Sequence, residues 1–339
     1  MVPAIRTRHL TKVYSNRVIA VNDMTLDVPQ GVVFGLLGPN GAGKTTTLRL
    51  LLGLQRPTAG QAEVLGHRCG LNSVAVRNAI GYLPTNPKLP GNLRPIEYLD
   101  LLGQLCRLPP DVRQPRLASL LRAVGLLGVT DRLIQSLSTG ETTRLGIAAS
   151  LVADPPLLIW DEPTAGLDPA ARRFTLDLIR ELARDRTIVV ATHVLSDIDQ
   201  ICTHVGVMHE GRMIFCGSMQ EMKRRLRHED FVLDLEASTD ATQALVPKLE
   251  GLGGVSVTLR AGHQVVVRVA GDQSRAAALA EVLRVIDAAG VTLQAVHSGS
   301  NDTENAYLQL LHEDEAHGFH RFDLGAGDVA ATGPGHSAV

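Results

Sequence analysis

Between Ile5 and about Arg225, short apolar runs alternate with amphipathic segments, a pattern that predicts an α/β sheet with helices packed on it. Val32-Val-Phe-Gly-Leu-Leu37, Leu157-Leu-Ile-Trp160 and Ile188-Val-Val-Ala191 show no polar face, so each is predicted to be a parallel strand buried on both sides. The stretch from 87 to 135 is richer in Leu and Arg, and its Pro95 suits the first turn of a helix. It is read as an inserted helical subdomain. After the basic run Lys223-Arg-Arg-Leu-Arg227 the texture changes. Phe231 to Leu235, Val255 to Leu259, Val265 to Val269 and Val291 to Val296 read as strands, and 241 to 252 and 274 to 288 as helices. That β-α-β-β-α-β order is the split βαβ pattern of a small α+β, ferredoxin-like domain, placed at 228 to 313 and closed by a helix from Thr303 to Leu311. The segment 314 to 339 is mostly Gly, Ala, His and Asp and is predicted to be disordered.

A chain of 339 residues has room for two such domains. Its net charge of -2 gives no global electrostatic footprint for nucleic acid, so any phosphate must be bound locally. Cys69, Cys106, Cys202 and Cys216 are scattered without a CxxC pair, which fits a reducing compartment and argues against structural metal or disulfides. No basic-then-apolar leader opens the chain. No apolar run reaches the roughly 18 to 20 residues of a membrane span, so the expected location is cytoplasmic.

Local phosphate chemistry is concentrated in a few places. Gly38-Pro39-Asn40-Gly41-Ala42-Gly43-Lys44-Thr45 follows a buried strand and precedes a helical run from Thr46, the setting a P-loop requires. Glycines let the backbone N–H groups converge on phosphates at a helix N-terminus. Lys44 reaches the β- and γ-phosphates in such a loop, and the Thr45 hydroxyl binds Mg²⁺. Asp161 ends an apolar strand at the carboxyl edge of the sheet, where ligands bind in such folds, and is expected at the same metal; the plain alternative is a helix cap. Glu162 follows as a candidate general base for the attacking water, with a surface carboxylate as the alternative.

Tyr14, GPNGAGKT at 38 to 45, LSTGE at 137 to 141, LLIWDEP at 157 to 163, AGLD at 165 to 168 and ATH at 191 to 193 occur in a fixed order. With that ordered set the chain resembles the ATP-binding subunit of an ABC transporter over about residues 3 to 225, and Asn305-Ala-Tyr-Leu-Gln-Leu-Leu311 looks like the last helix of exporter-type subunits. The resemblance implies an ABC-type P-loop ATPase domain over 1 to 227, with ATP and Mg²⁺ as ligands. It implies that Ser138 and the Gly140 N–H grip the γ-phosphate held by a second ATP-binding subunit, in a head-to-tail homodimer or heterodimer. Ser138 is also a natural helix cap. His193 matches the switch histidine that senses the γ-phosphate, Asp168 the loop that links the two sites, and Tyr14 the ring that stacks on adenine. Separate transmembrane permease subunits complete the implied machine and hold the chain at the inner membrane face.

Three positions depart from the family pattern. Thr85 stands where Gln usually contacts Mg²⁺ and the water, and is shorter, reaching the metal only through water. Thr139 replaces a glycine, and Glu141 replaces a glutamine near three phosphates, where a carboxylate is unhelpful unless it points away. A nucleotide-gated regulatory module with little turnover and a soluble ABC-type ATPase of translation or DNA repair are the alternatives; the latter usually has a second cassette, a coiled coil or zinc fingers, absent here. His263, His297, His312, His317, His320 and His336 are irregularly spaced and read as surface histidines rather than a metal site. The second domain, with no catalytic constellation, is expected to serve dimer contact or regulation.

Overall fold

The computed structural model describes residues 2–15, 17–70, 73–225, 229–236, 239–260, 264–269, 274–298 and 302–316. Two strands open the chain, β1 (Ile5–Val13) and β2 (Ile19–Val28), paired antiparallel. From Met24 to Val28 apolar and polar residues alternate inward and outward, as in a sheet with one wet face. β3 (Val33–Leu37) differs in being buried at every position. It runs into α1 (Lys44–Leu51), after which β4 (Ala59–Val64) and β5 (His67–Arg68) extend the first sheet to the order β2-β1-β4-β5.

The short helix α2 (Val74–Asn78) leads to β6 (Ile80–Leu83). Two helices follow, α3 (Pro95–Leu105) and α4 (Pro110–Ala123). Pro95 occupies the first turn as anticipated, and the Arg94 N–H donates to the Glu97 carboxylate at 2.8 Å. α5 (Thr139–Leu151) then packs against β6, α3 and α4. β7 (Leu157–Asp161), α6 (Pro169–Leu182), β8 (Thr187–Thr192), α7 (Leu195–Ile201), β9 (His204–His209) and β10 (Arg212–Ser218) follow, and their strands complete a six-stranded sheet.

That sheet has the order β10-β9-β3-β8-β7-β6, parallel except for the edge strand β10. β7 and β8 are buried along their whole length, like β3, the consequence of covering both faces. One core fills the space between the two sheets and α1, with Met24, Leu48, Val64, Ile159, Val189 and Met208 among its members. Register levels the strand ends. Leu37 lies opposite Thr192, Asp161 opposite Ala191, and Leu83 opposite Trp160. The loops after β3, β6, β7 and β8 therefore leave the same edge at nearly the same height.

Trp160 is the only tryptophan and is fully buried; its indole N–H donates to the Ser150 hydroxyl at 3.2 Å. This bond fastens α5 to the strand that ends in Asp161.

The remaining elements are α8 (Met219–Arg225), β11 (Glu229–Glu236), α9 (Thr239–Glu250), β12 (Val255–Arg260), β13 (Gln264–Val269), α10 (Arg275–Ala288), β14 (Thr292–Ser298) and α11 (Asp302–Ala316). Their sheet, β12-β13-β11-β14, is antiparallel between all neighbours. Leu233, Leu235, Leu245, Val265, Val282 and Ile286 belong to its own core. The chain divides into two compact units, one reaching Met219 and including the described residues from Leu311, the other spanning Gln220–Leu310.

Disorder expected from 314 onward is not what the structure has at 314 to 316, which form the last turn of α11. The Asp314 carboxylate holds that turn by pairing with His209 Nδ1 at 2.8 Å and Arg212 Nη1 at 3.3 Å. Residues 317 to 339, with His317, His320 and His336, lie outside the described residues, as do His263 and the side chain of His297. Among the described residues no helix is long and apolar enough to cross a membrane.

Replacing Ser150 by Ala leaves the buried indole N–H without its partner, at a cost of about 1–3 kcal/mol. Chemical denaturation of the Ser150→Ala chain should show that loss.

Candidate active site

The turn from β3 into α1 is built on glycine geometry. Gly41 and Gly43 have φ of 84° and 105°, a region that L side chains avoid. A Cβ on Gly43 would stand 2.2 Å from the Ala20 carbonyl oxygen, so only glycine fits. α1 then begins without a side-chain cap and without an acidic residue in its first turn. Its N–H groups and dipole favour an anion there.

Lys44 is buried, and its ammonium donates to the carbonyls of Gly38 at 2.7 Å and Pro39 at 3.1 Å. Glu162 Oε1 lies 3.8 Å away. Burial pulls the Lys44 pKa below its usual value, while the charges of Glu162 and Asp161 oppose that shift.

Asp161 is 1 % exposed. Its Oδ2 accepts from the Thr45 hydroxyl at 2.9 Å, whereas its Oδ1 is buried with no hydrogen-bond partner. Burial raises its pKa, against the opposing hydrogen bond from Thr45. An orphaned carboxylate oxygen beside a hydroxyl, at the N-terminus of α1, fits a hard divalent cation with oxygen ligands. Thr85 comes to the same strand end, but its hydroxyl donates to the main-chain carbonyl of Asp161 at 3.2 Å.

Glu162 sits at φ 53°, a left-handed conformation that costs a non-glycine residue on the order of 1 kcal/mol or more. Several contacts hold it there. Its N–H donates to the Ala191 carbonyl at 2.8 Å. Its carboxylate accepts from the Thr192 hydroxyl at 3.1 Å, and Oε1 meets His193 Nδ1 at 2.9 Å. Thr192 was absent from the sequence reading as a site residue, although it is the middle of the ATH triplet.

Tyr14 reaches the P-loop helix through its hydroxyl, which donates to Gln55 Oε1 at 3.0 Å and lies 3.4 Å from Thr46 Oγ1. Burial pushes its pKa up, but the hydroxyl's hydrogen bonding with Thr46 and Gln55 and the charges of Arg49 and Lys12 leave it below the usual value. Lys12 Nζ stands 5.5 Å from the ring centroid.

The LSTGE loop forms a separate patch. Ser138 caps α5 by accepting from the Glu141 N–H at 3.2 Å, and Glu141 Oε2 accepts from the Ser138 N–H at 2.8 Å, a reciprocal capping box. Arg132 Nη1 lies 3.5 Å from Glu141 Oε1. The Ser138 N–H is the leading cause of a lowered Glu141 pKa, with Arg132 adding to it. The carboxylate is therefore folded back on its own helix end and neutralised locally. Thr139 opens the helix without a positive φ, so nothing in this backbone demands glycine. A Cβ on Gly140 would meet Ala171 and Leu167 at 3.5 and 4.0 Å, which sets this loop beside the AGLD segment. Asp168 caps α6, its Oδ1 accepting from the Ala171 N–H at 2.8 Å.

Lys44, Thr45, Thr85, Asp161, Glu162 and His193 thus converge at one sheet edge. The hydrogen bonds of Ser138 and Asp168 given above stay at the N-termini of their own helices. Among the described residues, no group of three or more His, Cys, Asp or Glu is arranged to hold a metal ion, so a cation here would rely on hydroxyl and solvent oxygens beside Asp161.

The ABC transporter family profile matches residues 21–165. The bacitracin transport ATP-binding protein of Bacillus licheniformis is 39 % identical over 225 residues, covering 66 % of this chain and 72 % of that protein. A Nod factor export ATP-binding protein of Cupriavidus metallidurans is 34 % identical over 253 residues, covering 74 % and 80 %. The solved structure of an ATP-binding subunit of an ABC transporter superposes with a TM-score of 0.61 at 29 % identity, over 66 % of this chain and 92 % of that one.

Asp161→Asn removes a buried charge that carries an unpartnered oxygen, so it should stabilise the ligand-free chain by about 1 kcal/mol at neutral pH. Because the folded-state pKa is raised from 3.8, the penalty is fully present above that raised value. It fades as pH falls through the raised value toward 3.8, and the advantage of the variant should fade with it. Thermal unfolding across pH 3 to 8, on a scale of about those units, would check both.

Proposed function

Because this chain belongs to the ABC transporter family of ATP-binding subunits, we propose that it is a Mg²⁺-dependent ATPase that closes head to tail on a second ATP-binding subunit. In this reading, closure and reopening power export through separate membrane subunits. The observation that carries it is the convergence of Lys44, Asp161 and the Glu162–His193 pair at the mouth of the P-loop.

The backbone N–H groups of 38 to 46 and the first turn of α1 bind the nucleotide phosphates, with Lys44 Nζ exchanging its carbonyl partners for phosphate oxygens. Thr45 and Asp161 would hold Mg²⁺, with Thr85 at the edge of that site. When bound, the ion offsets charge on the β- and γ-phosphates and orients them for in-line attack. Glu162 takes the proton of the attacking water, and His193, hydrogen-bonded to its Oε1, keeps the carboxylate aimed. Tyr14 lays its ring against adenine, a position supported by the tie of its hydroxyl to Thr46. Ser138 and Gly140 act on the nucleotide of the second subunit, with Asp168 beside them. Their place on a patch separate from the P-loop supports shared sites over a self-contained one.

Coupling to the membrane subunit is assigned to a groove of about 700 Å³ walled by α2, β6, α3 and α5, with Tyr82, Tyr98, Leu102 and Leu105 in its lining. Leu105 is 69 % exposed and Leu101 42 %, apolar surface suited to a partner helix. β6 forms one wall and ends beside Thr85, so a segment seated there would press on the loop that reaches Asp161. The inner membrane face is the location this docking would give the chain. Export as the direction is supported by the Nod factor export relative. The domain from 228 to 313 is assigned to dimer contact or regulation.

Glu162→Gln should lower ATP turnover by about 10² to 10⁴ while ATP drives the variant into a dimer. Size-exclusion chromatography with a phosphate-release assay tests both, and a wild-type chain that binds ATP without turnover would favour a regulatory module instead. Thr85→Gln places a longer amide toward the metal and should raise turnover; an unchanged rate would show that position 85 does not limit hydrolysis.

A further inference from the structure

Asp197, the third residue of α7, is 1 % exposed and belongs to no motif. Both its carboxylate oxygens are engaged. Oδ2 accepts from the Thr164 hydroxyl at 2.5 Å, and Oδ1 accepts from Arg172 Nε at 2.7 Å, with Arg172 Nη2 at 2.6 Å. The same Nη2 donates to the Ser196 hydroxyl at 2.7 Å. Thr164 lies between Glu162 and Asp168, and Arg172 is on the first turns of α6, the helix that Asp168 caps.

The segment 192–197 therefore grips the loop 162–168 at two points. At one, Thr192 and His193 meet the Glu162 carboxylate. At the other, Asp197 meets Thr164. Between them the Val194 N–H donates to Thr192 Oγ1 at 3.0 Å and the Asp197 N–H to the Val194 carbonyl at 3.2 Å, so the spacing of the two grips is fixed. A buried ion pair is poor value for stability alone, because both charges lose their hydration. It does fix geometry, since a charge held by three donors cannot move without them.

We propose that Asp197 is a positioning residue that sets the His193–Glu162 distance and ties it to the Asp168 loop, so that a shift of that loop is felt at the histidine. The inference rests on the hydrolysis reading above. A displacement of Thr164 drags Asp197 and α7, and with them His193.

The test is a double-mutant cycle on the full chain. Asp197→Asn should lower kcat about 10-fold or more with KM nearly unchanged, since misplacement by about 1 Å can cost up to about 10²-fold. In a His193→Ala background it should add less than about 2-fold, because residues that act as a unit are not additive. Equal losses in both backgrounds, a loss confined to KM, or full activity in a folded Asp197→Asn chain would overturn the proposal. Thr164→Val keeps the Asp197–Arg172 pair and is judged by the same criteria if Asp197→Asn does not fold. The ring resonances of His193 in ¹⁵N-labelled protein supply a readout without turnover. They should move in Thr164→Val while those of His67 stay, and unmoved His193 signals would overturn the coupling. A wild-type chain without turnover would instead defeat the hydrolysis reading, and the resonance comparison would then decide this inference by itself.

Discussion

Parallel pairing of β3, β8 and β7, with Leu37 opposite Thr192 and Asp161 opposite Ala191, sets the height of every chemical group in the site. Lys44 follows β3 by a tight glycine turn, Glu162 follows β7 directly, and His193 follows β8 directly. A one-residue slip of β7 against β8 would turn Asp161 away from Thr45 and part Glu162 from His193. The register is secured by strands that are apolar on both faces and packed between helices and the antiparallel sheet. The hydrophobic core thus acts on the site at a distance, by making the strand ends level.

The site concentrates what an ordinary core excludes. Lys44 and Asp161 are buried, Asp161 keeps an oxygen without a hydrogen-bond partner, and Glu162 holds a left-handed backbone conformation. Each feature costs stability and is tolerated because neighbours over-determine it. The charges of Lys44 and Asp161 each oppose the pKa shift that burial imposes on the other. Glu162 is gripped by Ala191, Thr192 and His193 together.

Much of this was legible in the chain. Glycine spacing at 38 to 43, the apolar strands and the carboxylates at 161 and 162 are local signals, because backbone geometry and burial on both faces restrict residue choice position by position. Pro95 marked its helix start for the same reason. Contacts between distant segments were less visible. Asp197 meets Thr164 and Arg172 only through folding, and an acid on a short helix looks like a solvated face in a linear pattern. Glu141 is an intermediate case. Ser138-x-x-Glu141 has the spacing of a capping box, so its inward fold could have been anticipated; attention to phosphate charge hid it. The last turn of α11 was missed because Asp314 is held by His209 and Arg212, over a hundred positions away.

Trp160 sits one residue before Asp161, wholly buried, with its indole N–H on Ser150 of the helix that begins at the LSTGE loop. It is the only tryptophan in 339 residues. The chain thereby carries its own optical reporter where the strand ending in Asp161 meets α5. Its indole emission comes from one residue, and rearrangement of β7 against α5 would alter the surroundings of that single fluorophore without any label being attached.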